Sequence, residues 1–167
     1  MRIHETVEHA ASPEQVFDMI CSADYQELKC ERSGALEHEV AIEMEDDART
    51  VVTRRRLPTQ GFPDFARRVV GEAVDVVETQ VWGLAADPDG ARTASLHVEI
   101  PRTPVSMTGS LSLTATGEGT EHTLEGELRA AVPFVGSKIE AAVAPVLAKA
   151  LRLEATLSTE WFEQGRG

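Results

Sequence analysis

The chain has 167 residues, of which 42% are apolar and 26% charged, the profile of a soluble globular protein long enough to bury a sizeable core. Its 28 acidic and 16 basic side chains leave a net charge of −12, which argues against the basic patches of a nucleic-acid binder. Cys21 and Cys30 are the only cysteines, the first residues carry no signal pattern, and no apolar run approaches the ~20 residues of a membrane span. The expectation is one cytoplasmic domain over residues 1–167, with both cysteines as small core residues rather than a disulfide or a metal pair.

In chain order, Ile3, Glu5, Val7 and His9 alternate with Arg2, His4, Thr6 and Glu8, the period of a strand. Ser12 then offers an N-cap, Pro13 suits the first helical position, and Gln15 completes a capping box. Val16, Phe17, Met19 and Ile20 form the apolar face of that helix. A second short helix is expected over Ala23–Cys30, with Tyr25 and Leu28 inward and Arg32, Ser33 and Gly34 closing it. Leu36, His38, Val40, Ile42 and Met44 alternate as a strand, and Val51 to Thr53 with the following arginines complete a hairpin. Pro63 and Gly71 bracket a short helix near Asp64–Val70.

Four strands follow, over Ala73–Trp82, Arg92–Ile100, Val105–Thr114 and His122–Val132. Turn residues join them at Asp87–Gly90, Pro101–Pro104 and Gly117–Thr120. From Gly136 to Phe162 the apolar spacing becomes helical through Ile139, Val143, Val146, Ala150, Leu153, Leu157 and Trp161. Pro145 removes one backbone hydrogen bond inside that stretch and predicts a kink or a break. Hairpin-linked strands form an antiparallel sheet whose apolar face needs a cover, and only the C-terminal helix is long enough to supply it. The fold class is α+β: a curved antiparallel sheet of about seven strands around a long C-terminal helix, with two short helices after the first strand.

This order resembles the helix-grip fold of the START-like (SRPBCC, Bet v 1-like) superfamily, and "ASPEQVFDMI" (Ala11–Ile20) is similar to its first strand-to-helix junction. Three stretches resemble a bacterial family of domains of unknown function within it: "RRLPTQGFPDFARRVVGEAVDVVETQVW" (Arg55–Trp82), "IPRTPVSMTGSLSLTATGEGT" (Ile100–Thr120) and "VPFVGSKIEAAVAPVLAKAL" (Val132–Leu151). The resemblance implies an apolar cavity between sheet and long helix that holds a hydrophobic small molecule or lipid. Its expected lining is Phe62, Phe65, Trp82, Met107, Val143, Val146, Ala150 and Glu154.

Each candidate has a plainer alternative. Arg49, Arg54, Arg55, Arg56, Arg67 and Arg68, with the single acid Asp64, give residues 49–68 a charge of +5 against −17 elsewhere. They either form a rim that captures an anionic group, with Arg54 and Arg56 as contacts, or pair with the acidic remainder across the surface. Phe62, Phe65, Val69 and Val70 cap a ligand or seal a core. Trp82 and Trp161 fit core packing better than ligand stacking. Glu154 sits one residue from the inward line of the long helix, facing either the cavity or water. His9 and His38 share faces with apolar neighbours, whereas His4, His97 and His122 fall at solvent-facing positions. No catalytic, cofactor or metal motif is present, so none of these is expected. Three functions follow in order: a non-catalytic carrier of a hydrophobic ligand or lipid, a protein-interaction module pairing through a sheet edge or the polar sheet face, and a cyclase- or hydratase-like enzyme; a homodimer is a further expectation.

Overall fold

The computed structural model describes residues 1–84, 86–88 and 90–166 and, within them, every side chain except that of Val69. The Val69 contribution to the short helix and the Asp89 position of the Asp87–Gly90 turn therefore lie outside the described residues. The elements run β1 (Arg2–His9), α1 (Pro13–Ile20), α2 (Ala23–Arg32), β2 (Glu37–Met44), β3 (Ala48–Pro58), α3 (Asp64–Val70), β4 (Ala73–Gly83), β5 (Arg92–Ile100), β6 (Val105–Ala115), β7 (Thr120–Ala130) and α4 (Gly136–Glu163).

Ser12 starts α1 as its spacing requires. Its Oγ accepts from the Gln15 amide at 3.3 Å, and Gln15 Oε1 accepts from the Ser12 amide at 3.1 Å. The seven strands form one antiparallel sheet in the order β1-β7-β6-β5-β4-β3-β2. The first and second strands are thus the two sheet edges, and α1 and α2 carry the chain from one to the other. Each strand from β2 to β6 pairs with its successor, and β7 closes against β1.

The core lies between one face of the sheet and the helices. Trp82, Tyr25, Ile20, Met107, Leu113, Leu128, Ile139 and Leu157 are its large, fully buried members. Phe17 meets Trp82 edge-on at 6.0 Å, and Tyr25 meets Trp161 edge-on at 5.5 Å. Both tryptophans are core residues. On β2 the expected inward face is only half-buried at His38, Val40 and Ile42, and its ends Leu36 and Met44 are exposed. An edge strand has a neighbour on one side only, so its ends run beyond the cover.

Gly109 and Gly126 face each other across β6 and β7. A Cβ on Gly109 would stand 2.1 Å from the Glu125 carbonyl oxygen, which is backbone and cannot step aside. The Gly109→Ala variant is expected to lose about 3 kcal/mol, the upper part of the overpacking range, in urea unfolding. Gly83→Ala, where a Cβ meets nothing within 4 Å, is the near-neutral control.

No break occurs at Pro145: α4 is continuous from Gly136 to Glu163. Proline lacks the amide that would bond to the Ala141 carbonyl, and the flanking turns carry the helix across that gap. The inward line matches the expected one at Ile139, Leu157 and Trp161 and departs from it between them. The buried residues are Ile139, Ala148, Leu151, Glu154, Leu157, Ser158 and Trp161, while Val146 is 40% exposed and Ala150 is exposed. Between Ile139 and Ala148 no α4 residue is fully buried.

Candidate functional site

The sheet and α4 enclose a cavity of about 50 Å³. Leu96, Val98, Met107, Leu111 and Leu124 supply its wall from the sheet, and Leu147 and Leu151 supply it from α4. Its other end is polar: Lys29 from α2, Arg55 from β3, Glu78 and Gln80 from β4, and Glu154 from α4. Ala150, which is exposed, and Ser33, which is half-buried, also line it. The mouth therefore opens between the C-terminal end of α2 and the middle of α4. A water needs ~10–15 Å³ of such space, so the cavity admits a few waters or one polar ligand group, not a whole lipid.

Strand alternation delivers the polar residues. On β3, Val51, Thr53 and Arg55 point inward and are buried, while Arg54 is exposed. On α2, Tyr25 and Lys29 are one turn apart on the buried face. The groups then satisfy one another in a chain. Trp82 Nε1 donates to Gln80 Oε1 at 2.8 Å, and Gln80 Nε2 donates to Glu78 Oε1 at 2.7 Å. Arg55 Nη2 donates to Glu78 Oε2 at 2.5 Å, and Lys29 Nζ donates to Glu78 Oε1 at 3.4 Å. Lys29 Nζ also stands 3.8 Å from Glu154 Oε2. The backbone carbonyl of Glu154 accepts from the Tyr25 hydroxyl at 3.0 Å, which ties α2 to α4.

Burial pushes the Glu78 carboxyl up, but Lys29 and Arg55 outweigh it and bring it down to about 2. Burial pulls Lys29 down, and the carboxylates of Glu154 and Glu78 outweigh it and hold the ammonium above its ordinary value. Two cations thus face two carboxylates. The set is not fully saturated. Glu154 Oε1 and Arg55 Nε are buried and have no hydrogen-bond partner among the described residues.

A second polar group lies between β1, β7 and α4. His9 Nδ1 is 2.7 Å from Ser158 Oγ, and His9 Nε2 is 3.2 Å from His122 Nδ1. Ser158 donates its single hydroxyl proton to the Ala155 carbonyl at 2.8 Å, so its oxygen accepts from His9 Nδ1–H. His9 Nε2 then accepts from His122 Nδ1–H. Burial lowers both histidines, His122 to about 4 despite the opposing charge of Glu154. His9 and Ser158 superficially form a base and a nucleophile. The hydroxyl proton points at a carbonyl, however, and neither side chain lines the cavity. The pair is a clasp between β1 and α4.

Of the lining residues expected from the sequence, Met107, Ala150 and Glu154 reach the cavity. Trp82 is fully buried behind Gln80, and Phe65 and Val143 are half-buried against the core. Phe62 is half-buried in the segment before α3, and Val146 is on the outer side of α4. The anionic contacts expected at Arg54 and Arg56 lie on the outer face of β3, where Arg56 pairs with Asp75 at 3.1 Å. Period-two alternation turns Arg55 inward instead. Arg49 and Arg67 also pair on the surface, with Asp18 at 3.6 Å and Asp64 at 3.7 Å. His122, expected in water, is buried, because it shares strand parity with Leu124 and Leu128. His4 and His97 are exposed, and His38 bonds Glu27 at 2.6 Å. Both cysteines are free and buried. Among the described residues no helix is long and apolar enough to cross a membrane.

An antiparallel sheet wrapped along one long C-terminal helix is the START-like helix-grip fold. The chain spans the length of TTHA0849 from Thermus thermophilus (TM-score 0.65, 14% identity, 100% of both chains covered). A STAR-related lipid transfer protein from Xanthomonas axonopodis is similar over 91% of this chain and 82% of its own (TM-score 0.55, 15% identity). The di-domain ARO/CYC StfQ of the steffimycin biosynthetic pathway is similar over 98% of this chain and 51% of its own (TM-score 0.61, 12% identity). In sequence, the uncharacterized protein Rv0481c of Mycobacterium tuberculosis is 25% identical over 120 residues, 71% of this chain and 68% of that protein. The protein belongs to the family described as "Protein of unknown function (DUF2505)", whose model matches residues 4–162.

Proposed function

We propose that the chain is a non-catalytic carrier of a hydrophobic small molecule or lipid, held between the sheet and α4. The observation that supports this most directly is the cavity's division into an apolar wall and a single polar end. That is how small-molecule sites combine affinity with orientation. The polar end's titratable groups are ion-paired with one another, which suits holding a ligand more than moving a proton. Likeness to a lipid transfer protein points the same way, and likeness to StfQ keeps an enzyme as the competing reading. The free, buried cysteines suit a reducing cytoplasm.

A ligand larger than the closed cavity requires α4 to lift. The helix is suited to that in one place: none of residues 140–147 is fully buried, and Pro145 has already removed a backbone bond there. Native mass spectrometry of protein purified from its own host, before and after organic extraction, tests the carrier reading. The expected result is an added mass that extraction removes. Absence of any added mass, together with no uptake of an environment-sensitive hydrophobic dye, would overturn it.

A further inference from the structure

The polar end of the cavity carries two unmet valences of opposite kind. Glu154 Oε1 is an acceptor without a donor, and Arg55 Nε is a donor without an acceptor, among the described residues. Both side chains line the cavity, and the residues are only 5% and 7% exposed. Glu78 and Gln80 are already engaged, with Lys29, Arg55 Nη2 and Trp82, and Glu154 Oε2 faces Lys29 Nζ at 3.8 Å. Lys29 and Arg55 against Glu78 and Glu154 also sum to no net charge, so a further anion finds no surplus cation. A carboxylate or phosphate could accept from Arg55 but would set oxygen against oxygen at Glu154. An ammonium could donate to Glu154 but would offer nothing to Arg55. A hydroxyl does both.

We propose that the buried end of the ligand is an uncharged alcohol or phenol hydroxyl, received by Glu154 and Arg55. This rests on the carrier reading and specifies the class of its cargo. The apolar body then follows Leu96, Met107 and Leu124 along the wall.

The test compares three probes of equal chain length by dye displacement: 1-nonanol, methyl octyl ether and nonanoate. The ether accepts but cannot donate, and nonanoate accepts and is charged. The expected result is that nonanol binds about tenfold or more tightly than either, because a buried bond to a charged group is lost with each. In Glu154→Leu the advantage of nonanol over the ether collapses to about twofold or less. Arg55→Lys, which keeps the charge but moves the donor, is expected to weaken nonanol by a smaller factor, and it serves if Glu154→Leu fails to fold. Equal binding of all three probes, or an undiminished nonanol preference in a folded Glu154→Leu, overturns the hydroxyl assignment and leaves the carrier standing. Failure of every probe and of the dye overturns both.

Discussion

Replacing Glu78 by alanine lowers the unfolding free energy by about 3–5 kcal/mol, the cost of leaving buried charge without its partner. Glu78 is the hub of the interior network, bonded to Arg55, Lys29 and Gln80 at once. With it gone, two cations remain for one carboxylate, and Lys29 Nζ is already 3.8 Å from that one. Gln80 also loses its acceptor, while Trp82 continues to hold the other end of its amide. A domain of this size has on the order of 5–15 kcal/mol in all, so the loss is a large fraction of the total. Urea unfolding measures it. The double variant Arg55→Met, Glu78→Leu, which removes one charge of each sign, is expected to be more stable than Glu78→Ala. A loss under 1 kcal/mol in the single variant would show that the network is solvated and not a closed interior cluster.

Acid unfolds the protein in two stages, and the first belongs to the histidine pair. His122 is held at about 4 by burial, against an ordinary value of 6.5. Between those values the unfolded chain takes up a proton that the folded chain refuses. Stability is therefore fully present above pH ~6.5 and falls as pH drops toward 4. At 1.36 kcal/mol per unit, His122 alone contributes a loss of about 2 kcal/mol between pH 7.5 and pH 5. His9 is lowered by burial as well and adds loss in the same direction. The second stage belongs to Glu78, whose folded value of about 2 lies below its ordinary 4.5. Its contribution is present above pH ~4.5 and is lost as pH falls through 2. Urea midpoints at pH 7.5, 6 and 5 resolve the first stage, and His122→Gln is expected to flatten it. A midpoint unchanged from pH 7.5 to 5 would mean that the histidines are not buried.

Much of this architecture was legible from turn chemistry and period-two alternation. The Ser12 capping box, the short helix ending at Gly71 and the antiparallel strands all follow from local rules that tertiary structure did not override. The interior polar residues were harder to see for one physical reason. Lys29, Arg55, Glu78 and Glu154 are residue types that belong at the surface unless paired, and their partners are distant in sequence. Parity alone marks Arg55 as inward with Val51 and Thr53, and His122 as inward with Leu124. Chemistry argued the other way for both. On α4 the apolar spacing through Ala150 and Leu153 marks only one margin of the buried face, whose centre runs through Leu151, Glu154 and Ser158. A buried carboxylate at the centre of a helix face hides that face from any hydrophobic periodicity.

As a carrier, the protein holds an apolar molecule in the space between the sheet and α4. Isotope-filtered NMR on labelled protein saturated with unlabelled 1-nonanol tests it most directly. Contacts are expected from the alkyl chain to the methyl groups of Leu96, Met107, Leu124 and Leu151, with the largest backbone shifts in residues 140–150. Contacts confined to surface groups such as Leu36, Met44 or Phe134, with the cavity methyls silent, would contradict it.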